Sequence, residues 1–214
     1  METIDCSAKV TVLEHALAAV NLAVLRDRST TQEAFRGAMQ RLGALLFVEA
    51  ARDWETSIHQ LETPLAETAG AFLARPVVMV PILRAGLGLL DPMLALHPAA
   101  SVGHIGLYRN EKTLRPISYY ARLPVETKEA QVLLLDPMLA TGHSACAAIA
   151  TLKTHDATRI QFICVVACRE GIRELHAAHP GVQIITAAID PELNSVGYIV
   201  PGLGDAGDRY FGTG

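Results

Sequence analysis

The 214-residue sequence has only four cysteines, no excess of positive charge and no uninterrupted apolar run of membrane length. Each shortage excludes something. Cys6, Cys146, Cys164 and Cys168 match no zinc-ligand spacing, and two of them lie in apolar surroundings. They read as reduced thiols of a cytoplasmic protein rather than as a disulfide framework. The formal net charge is −4, from 18 Lys and Arg against 22 Asp and Glu. Proteins that live on nucleic-acid phosphates usually carry a basic face, so this balance argues against a nucleic-acid partner. The longest nearly uncharged stretch, Val132 to Leu152, is broken by Asp136, Pro137, Gly142 and His143, and does not read as a membrane span. Met1-Glu2-Thr3-Ile4-Asp5 has neither the basic start nor the apolar core of a secretory signal. Disorder is excluded by an apolar fraction of 50%, and collagen by the lack of a G-X-Y period. The expectation is a cytoplasmic globular protein, with residues 1–214 forming one domain around one sizeable core.

What is present is an alternation of patterns. Residues 1–75 read as mainly helical. Thr30-Thr31-Gln32-Glu33 has the capping-box form, and Phe35, Met39, Leu42 and Leu46 follow at helical spacing, predicting a helix from about Thr31 to Trp54. An earlier helix is expected over Thr11 to Arg26, and Glu55 to Ala74 reads as mixed and partly irregular. From Pro76 short continuous apolar runs take over: Val77 to Leu83, Val102 to Leu107, Val132 to Leu135, Ile160 to Ala167 and Val182 to Ala188. Such runs suit strands buried on both faces. Helical segments lie between most of them, at Leu87 to Leu96, Ser144 to Lys153 and Glu170 to His179. The fold class is therefore α/β, an open and mostly parallel sheet flanked by helices. Tyr108 to Leu123 is polar and aromatic and reads as a hairpin arm projecting from the sheet.

The segment richest in chemistry runs from Val132 to Ser144. A buried strand ends in Asp136, a short loop carries Thr141, Gly142 and Ser144, and a helix begins. Ligands of open α/β sheets bind at such strand ends. The first N–H groups of a helix lack partners, and the helix dipole adds positive charge there, so the turn suits a phosphate. An ionised Asp136 can accept hydrogen bonds from the vicinal hydroxyls of a sugar. Together these parts form a site for a ribose 5-phosphate. The same residues also suit a plain strand–turn–helix, with Ser144 as the helix cap and Asp136 as a turn residue.

Asp136-Pro137-Met138-Leu139-Ala140-Thr141-Gly142-His143-Ser144 strongly resembles the phosphoribosyl diphosphate (PRPP) loop of the uracil phosphoribosyltransferases, a type I phosphoribosyltransferase family. Three more segments are similar to that family in order and spacing: Val80 to Gly88, Tyr108 to Pro116 and Gly197 to Arg209. The resemblance implies the conversion of uracil and PRPP to UMP and diphosphate, in pyrimidine salvage. It implies PRPP contacts from Arg84, Arg109, the nine residues Asp136 to Ser144, and Asp205. It implies uracil contacts from Ile199, Gly204, Asp205 and Ala206, with Asp205 and Arg109 as catalytic residues. It also implies a cis peptide at Leu83–Arg84, Mg²⁺ held through diphosphate and water rather than by a protein metal site, a homodimer or larger homo-oligomer, and GTP as a possible effector.

Some features depart from the family pattern. His143 stands where the family usually has glycine, Arg115 where glutamate is common, and Cys168-Arg169 where a small residue and proline are usual. The first fifty residues diverge most, around Glu14-His15-Ala16-Leu17. Gly202-Leu203-Gly204-Asp205-Ala206-Gly207 matches a dinucleotide fingerprint literally, but the acid expected about 20 residues on has no place before Gly214. His176 and His179 read as a solvated helix face. Two other functions remain on the same fold: a pyrimidine-responsive RNA-binding regulator, and a weakly active paralogue that senses nucleotides.

Overall fold

A strand buried on both sides must send alternate side chains into two different cores. The central strands of the main sheet do so. The computed structural model describes residues 10–109 and 116–213. β1 (Val10–Val12) precedes α1 (Ala16–Arg26) and α2 (Gln32–Ala50). β2 (Thr56–Glu62) and β3 (Glu67–Leu73) form a hairpin, followed by β4 (Val77–Leu83), α3 (Leu87–Leu96), β5 (Ser101–Val102), β6 (His104–Arg109) and β7 (Pro116–Arg122). Then come β8 (Gln131–Leu135), β9 (Met138–Leu139), α4 (His143–Lys153), β10 (Arg159–Ile163), β11 (Val166–Cys168) and α5 (Arg169–Ala178). β12 (Gln183–Thr186), β13 (Ala188–Asp190), β14 (Glu192–Leu193), β15 (Ile199–Val200) and α6 (Ala206–Phe211) complete the chain.

The main sheet runs β1-β12-β10-β8-β4-β6-β7, with β5 beside β4. Its pairs are parallel except β6 with β7. Met79, Leu133, Leu135, Ile163 and Ile185 face one core, with Phe35, Met39 and Leu42 of α2 and Leu89 and Met93 of α3. Val78, Val80, Val132, Leu134, Phe162 and Ile184 face the other, with Ile149 and Leu152 of α4 and Ile172 and Leu175 of α5. The expected α/β architecture is thus the observed one.

Past their C-terminal ends, β8, β10 and β12 are each continued by a short strand. These continuations, β9, β11 and β13, make a second parallel sheet in the order β13-β11-β9. The runs predicted as single strands, Ile160 to Ala167 and Val182 to Ala188, are therefore each split in two. The N–H groups of Val165 and Val166 both donate to Pro137 O, at 2.9 and 3.1 Å, which ties the split to the loop after β8.

Other expectations shift at their edges. Val10–Val12 pairs with β12 as a strand, so α1 starts only at Ala16, with His15 Nδ1 accepting from Leu17 N–H at 3.1 Å. α2 is capped by Thr31, which accepts from Ala34 N–H at 3.3 Å, and it ends at Ala50 rather than Trp54. Glu33 lies one position short of the reciprocal capping-box place. Residues 56–73 are a regular antiparallel hairpin, not an irregular stretch. Both its faces are largely exposed, so no buried face imposes the apolar alternation that marks a strand in sequence. The described ends of the arm, β6 and β7, pair antiparallel as expected of a hairpin. Cys6, Glu111, Lys112 and Arg115 lie outside the described residues.

Candidate active site

The site begins where β8 ends. Asp136 N–H donates to Ile163 O at 3.1 Å, so the acid leaves the sheet in a fixed direction. Burial pushes its carboxyl up to about 7. The Met138 N–H, 3.5 Å from Oδ1, pulls the other way, and the charge of Asp205 adds to the rise. Beyond it, β9 pairs with β11 and delivers the chain to Gly142.

Gly142, not Ser144, is the N-cap of α4, with a left-handed φ of 84° and no side-chain cap bond. The first helical hydrogen bond closes from Cys146 N–H to Gly142 O at 2.9 Å. The N–H groups of His143, Ser144 and Ala145 therefore point out of the helix start, where an anion is favoured. A Cβ at Gly142 would lie 2.9 Å from Gly171 O, and one at Gly171 would lie 2.4 Å from Ala140 O. The turn rests directly on the first turn of α5. Gly171 is not among the residues expected at the site. A glycine early in a predicted helix, which costs about 1 kcal/mol against alanine, was the signal available.

The second wall comes from the C-terminal segment. β15 pairs with β14, Gly202 and Gly204 adopt left-handed φ values of 58° and 80°, and Asp205 caps α6 by accepting from Asp208 N–H at 2.9 Å. Between the two walls lies a cavity of about 410 Å³. Its lining includes Asp136, Met138, Leu139, Ala140, Thr141, Gly142 and Ser144 from the turn, and Ile199, Gly204, Asp205 and Ala206 from the C-terminal segment. Segments more than fifty residues apart in sequence, expected to serve one site, thus line one cavity. Ala85, Ala145, Gly197, Tyr198 and Gly207 also line it and were not among the expected contacts.

Three expected residues, Pro137, His143 and Arg84, do not line it. Pro137 is buried, its carbonyl taken by β11. His143 is exposed and lines an adjoining cavity of about 250 Å³ with Glu170 and Asn194. Arg84 follows a Leu83–Arg84 peptide that is cis, as expected, but its guanidinium is 3.6 Å from Asp208 and 5.8 Å from the Phe211 ring centre, beside the cavity. Arg109 ends β6, and its side chain lies outside the described residues. Among the described residues no group of three or more His, Cys, Asp or Glu could hold a metal ion, and no helix is long and apolar enough to cross a membrane. His176 and His179 are half-buried rather than solvated, their Nε2 atoms 3.2 Å from Val182 O and 3.1 Å from Cys146 O.

A sequence profile of the family described as uracil phosphoribosyltransferase matches residues 12–213. The chain belongs to the uracil phosphoribosyltransferase family. It is 49% identical to the uracil phosphoribosyltransferase of Acholeplasma laidlawii, over 96% of this chain and 99% of that one. It is 47% identical to that of Streptococcus pneumoniae, with the same coverage. A solved protein from Aquifex aeolicus superposes with a TM-score of 0.91 at 35% identity, over 95% of this chain and 98% of its own. The adenine phosphoribosyl transferase of Trypanosoma brucei, solved with AMP, pyrophosphate and ribose-5-phosphate, superposes with a TM-score of 0.58 at 15% identity, over 88% of this chain and 87% of its own. That last likeness is one of fold. In this uracil phosphoribosyltransferase family member, the cavity joins the turn at the start of α4 to a glycine-rich C-terminal wall.

Proposed function

We propose that this chain transfers the ribosyl 5-phosphate group of PRPP to N1 of uracil, forming UMP and diphosphate, as a cytoplasmic enzyme of pyrimidine salvage. The observation that carries the reading is the single cavity lined by both the phosphate turn and the C-terminal glycine segment. The 5-phosphate sits on the free N–H groups at the start of α4, with the hydroxyls of Thr141 and Ser144 as further donors. Asp136 accepts the ribose hydroxyls. Uracil presents an N3–H donor between two carbonyl acceptors, and the backbone around Ile199, Gly204 and Ala206 can match that pattern. Cytosine changes the pattern at C4 and N3 and would leave buried groups unpaired.

As the anomeric C–O bond breaks, charge grows on the diphosphate, and stabilising it is the main task. Arg84, beside the cavity, can turn its planar fork to diphosphate oxygens. Arg109 serves the same polyanion from the arm, which excludes water from PRPP. Asp205 stands at the reacting end, assisting the N1 proton or the water around the metal. Mg²⁺, a hard cation that keeps phosphate and water ligands, supplies charge neutralisation when bound with the diphosphate. Asp205 would reach that ion only through its bound water.

The test is a PRPP-dependent assay with Mg²⁺ and uracil, cytosine or hypoxanthine, with and without GTP. UMP from uracil alone is expected, and no UMP under any condition overturns the reading. Arg84→Ala and Asp205→Ala should each lower turnover about 10²-fold or more. Full activity in both would show that the site is misplaced.

We also propose that the enzyme is a homo-oligomer. The β2–β3 hairpin packs chiefly on itself and exposes Ile58, Leu65 and Phe72. A lone two-stranded hairpin is marginal in water, and a second copy of the chain would give it a surface to bury.

A further inference from the structure

Gly202 and Leu203 lead into the cavity-lining residues Gly204, Asp205 and Ala206; Leu203 buries its side chain in the core, while the backbone polar groups of the turn are met by residues from other elements. Gly202 has a left-handed φ of 58°, and a Cβ there would lie 2.2 Å from Ile199 O, so the position admits only glycine. The turn is held from outside. Arg26, the last residue of α1, donates Nη1 to Gly202 O at 2.9 Å and to Asp190 Oδ2 at 2.8 Å, and Nη2 to Asp190 Oδ1 at 2.7 Å. Asp190, at the end of β13 and 5% exposed, accepts from Gly202 N–H at 2.8 Å. Both polar groups of Gly202 are thus taken by one bidentate ion pair. The next carbonyl, Leu203 O, accepts from Arg209 Nη1 at 2.7 Å. Arg209 also reaches Leu25 O and, at 2.7 Å, Asp27 O, with its guanidinium 4.4 Å from the Phe35 ring centre. None of Arg26, Asp190 and Arg209 lines the cavity.

We propose that the Arg26–Asp190 pair is a positioning device for uracil recognition: it fixes the Gly202 peptide and thereby the backbone groups of Gly204 to Ala206 that face the base. This rests on the placement of uracil against Ile199, Gly204 and Ala206 proposed above. The bonds suit the task. A carboxylate alone could hold the N–H, and a lysine alone could hold the carbonyl. A bidentate arginine–carboxylate pair fixes both in one rigid planar geometry and matches the charge of the buried Asp190. Base selection by backbone groups needs them placed to a fraction of an ångström, and a misplacement of about 1 Å can cost about 10²-fold. The pair lies two strands away from β9, which leads into the turn before α4, so its loss should fall more heavily on uracil than on PRPP, which Asp205 alone of the positioned residues also serves.

The experiment compares Arg26→Gln and Asp190→Asn with the unaltered full chain, measuring KM for uracil and for PRPP, the uracil-to-cytosine preference, and thermal unfolding. Ala206→Leu, which fills the base side of the cavity, serves as the marker for base placement. Each clamp variant should raise the uracil KM about tenfold or more, change the PRPP KM less than about threefold, and weaken the preference for uracil. Equal rises in both KM values, an unchanged uracil KM, or a chain that fails to fold with either substitution would mark the pair as purely structural and overturn the proposal. If Ala206→Leu leaves the uracil KM unaltered, the base placement itself is wrong, which separates that failure from failure of the clamp alone.

Discussion

Asp136 shows how one residue can weigh against the fold while serving the site. Its carboxyl sits up at about 7, chiefly because it is buried. An unfolded chain releases that proton near 4. Between those values the folded state keeps a proton that the unfolded state has lost, so stability falls as pH rises through the window and the full cost is present above about pH 7. Asp136→Asn removes the buried charge. It should melt higher than the unaltered protein at pH 8, with the difference shrinking toward pH 4, while its KM for PRPP rises because an amide cannot accept two ribose hydroxyls equally. Melting curves at the two pH values and PRPP kinetics check both halves, and a lower melting point at pH 8 would contradict the assignment. The strand-end acid and the turn beside it were legible from residue order. The perturbation of Asp136 was not, because it needs Asp205 across the cavity and the packing around β8.

At the scale of elements, the turn before α4 rests on the start of α5, and Gly171 is where the two backbones meet. Alanine in a helical position usually gains about 1 kcal/mol over glycine. Here a Cβ would meet Ala140 O at 2.4 Å, and backbone cannot move aside as a flexible side chain can. Overpacking of this kind costs about 1–3 kcal/mol, so the steric term wins over the propensity term. Gly171→Ala should lower the melting temperature and reduce kcat/KM for PRPP by about tenfold or more by lifting the phosphate turn off α5. A stabilised variant with intact kinetics would show that the turn can give way. The predicted α3, Leu87 to Leu96, matches the observed element, and α4 and α5 each begin one residue earlier than predicted, because apolar spacing and flanking breakers are local signals. The split of β10 from β11 was not visible, since the apolar run continues through Cys164 and Val165 while their hydrogen bonds go to Ile185 and Pro137.

For the whole molecule, the hairpin of residues 56–73 leaves both its faces largely exposed. Ile58 is 67% exposed and Leu65 96%. Ile58→Asp should leave the fold intact, since the side chain meets little of its own chain. It should shift the sedimentation profile toward monomer if the hairpin is an oligomer contact. An unchanged profile would place the contact elsewhere or show that none exists.

The sequence by itself determined the α/β class, the strand–turn–helix from Val132 to Lys153 and the segments that resemble a uracil phosphoribosyltransferase. Those depend on local order: apolar runs of strand length, helical spacing, and a loop whose chemistry lies within nine consecutive residues. Only the tertiary structure decided which residues share the cavity, that Gly142 rather than Ser144 caps α4, that Arg84 sits beside Asp208, and that Arg26 and Asp190 hold Gly202. Each of these depends on contacts between residues distant along the chain. Asp190 and Arg26 are 164 positions apart, and only the parallel sheet and the helices on its faces bring them within 2.7 Å.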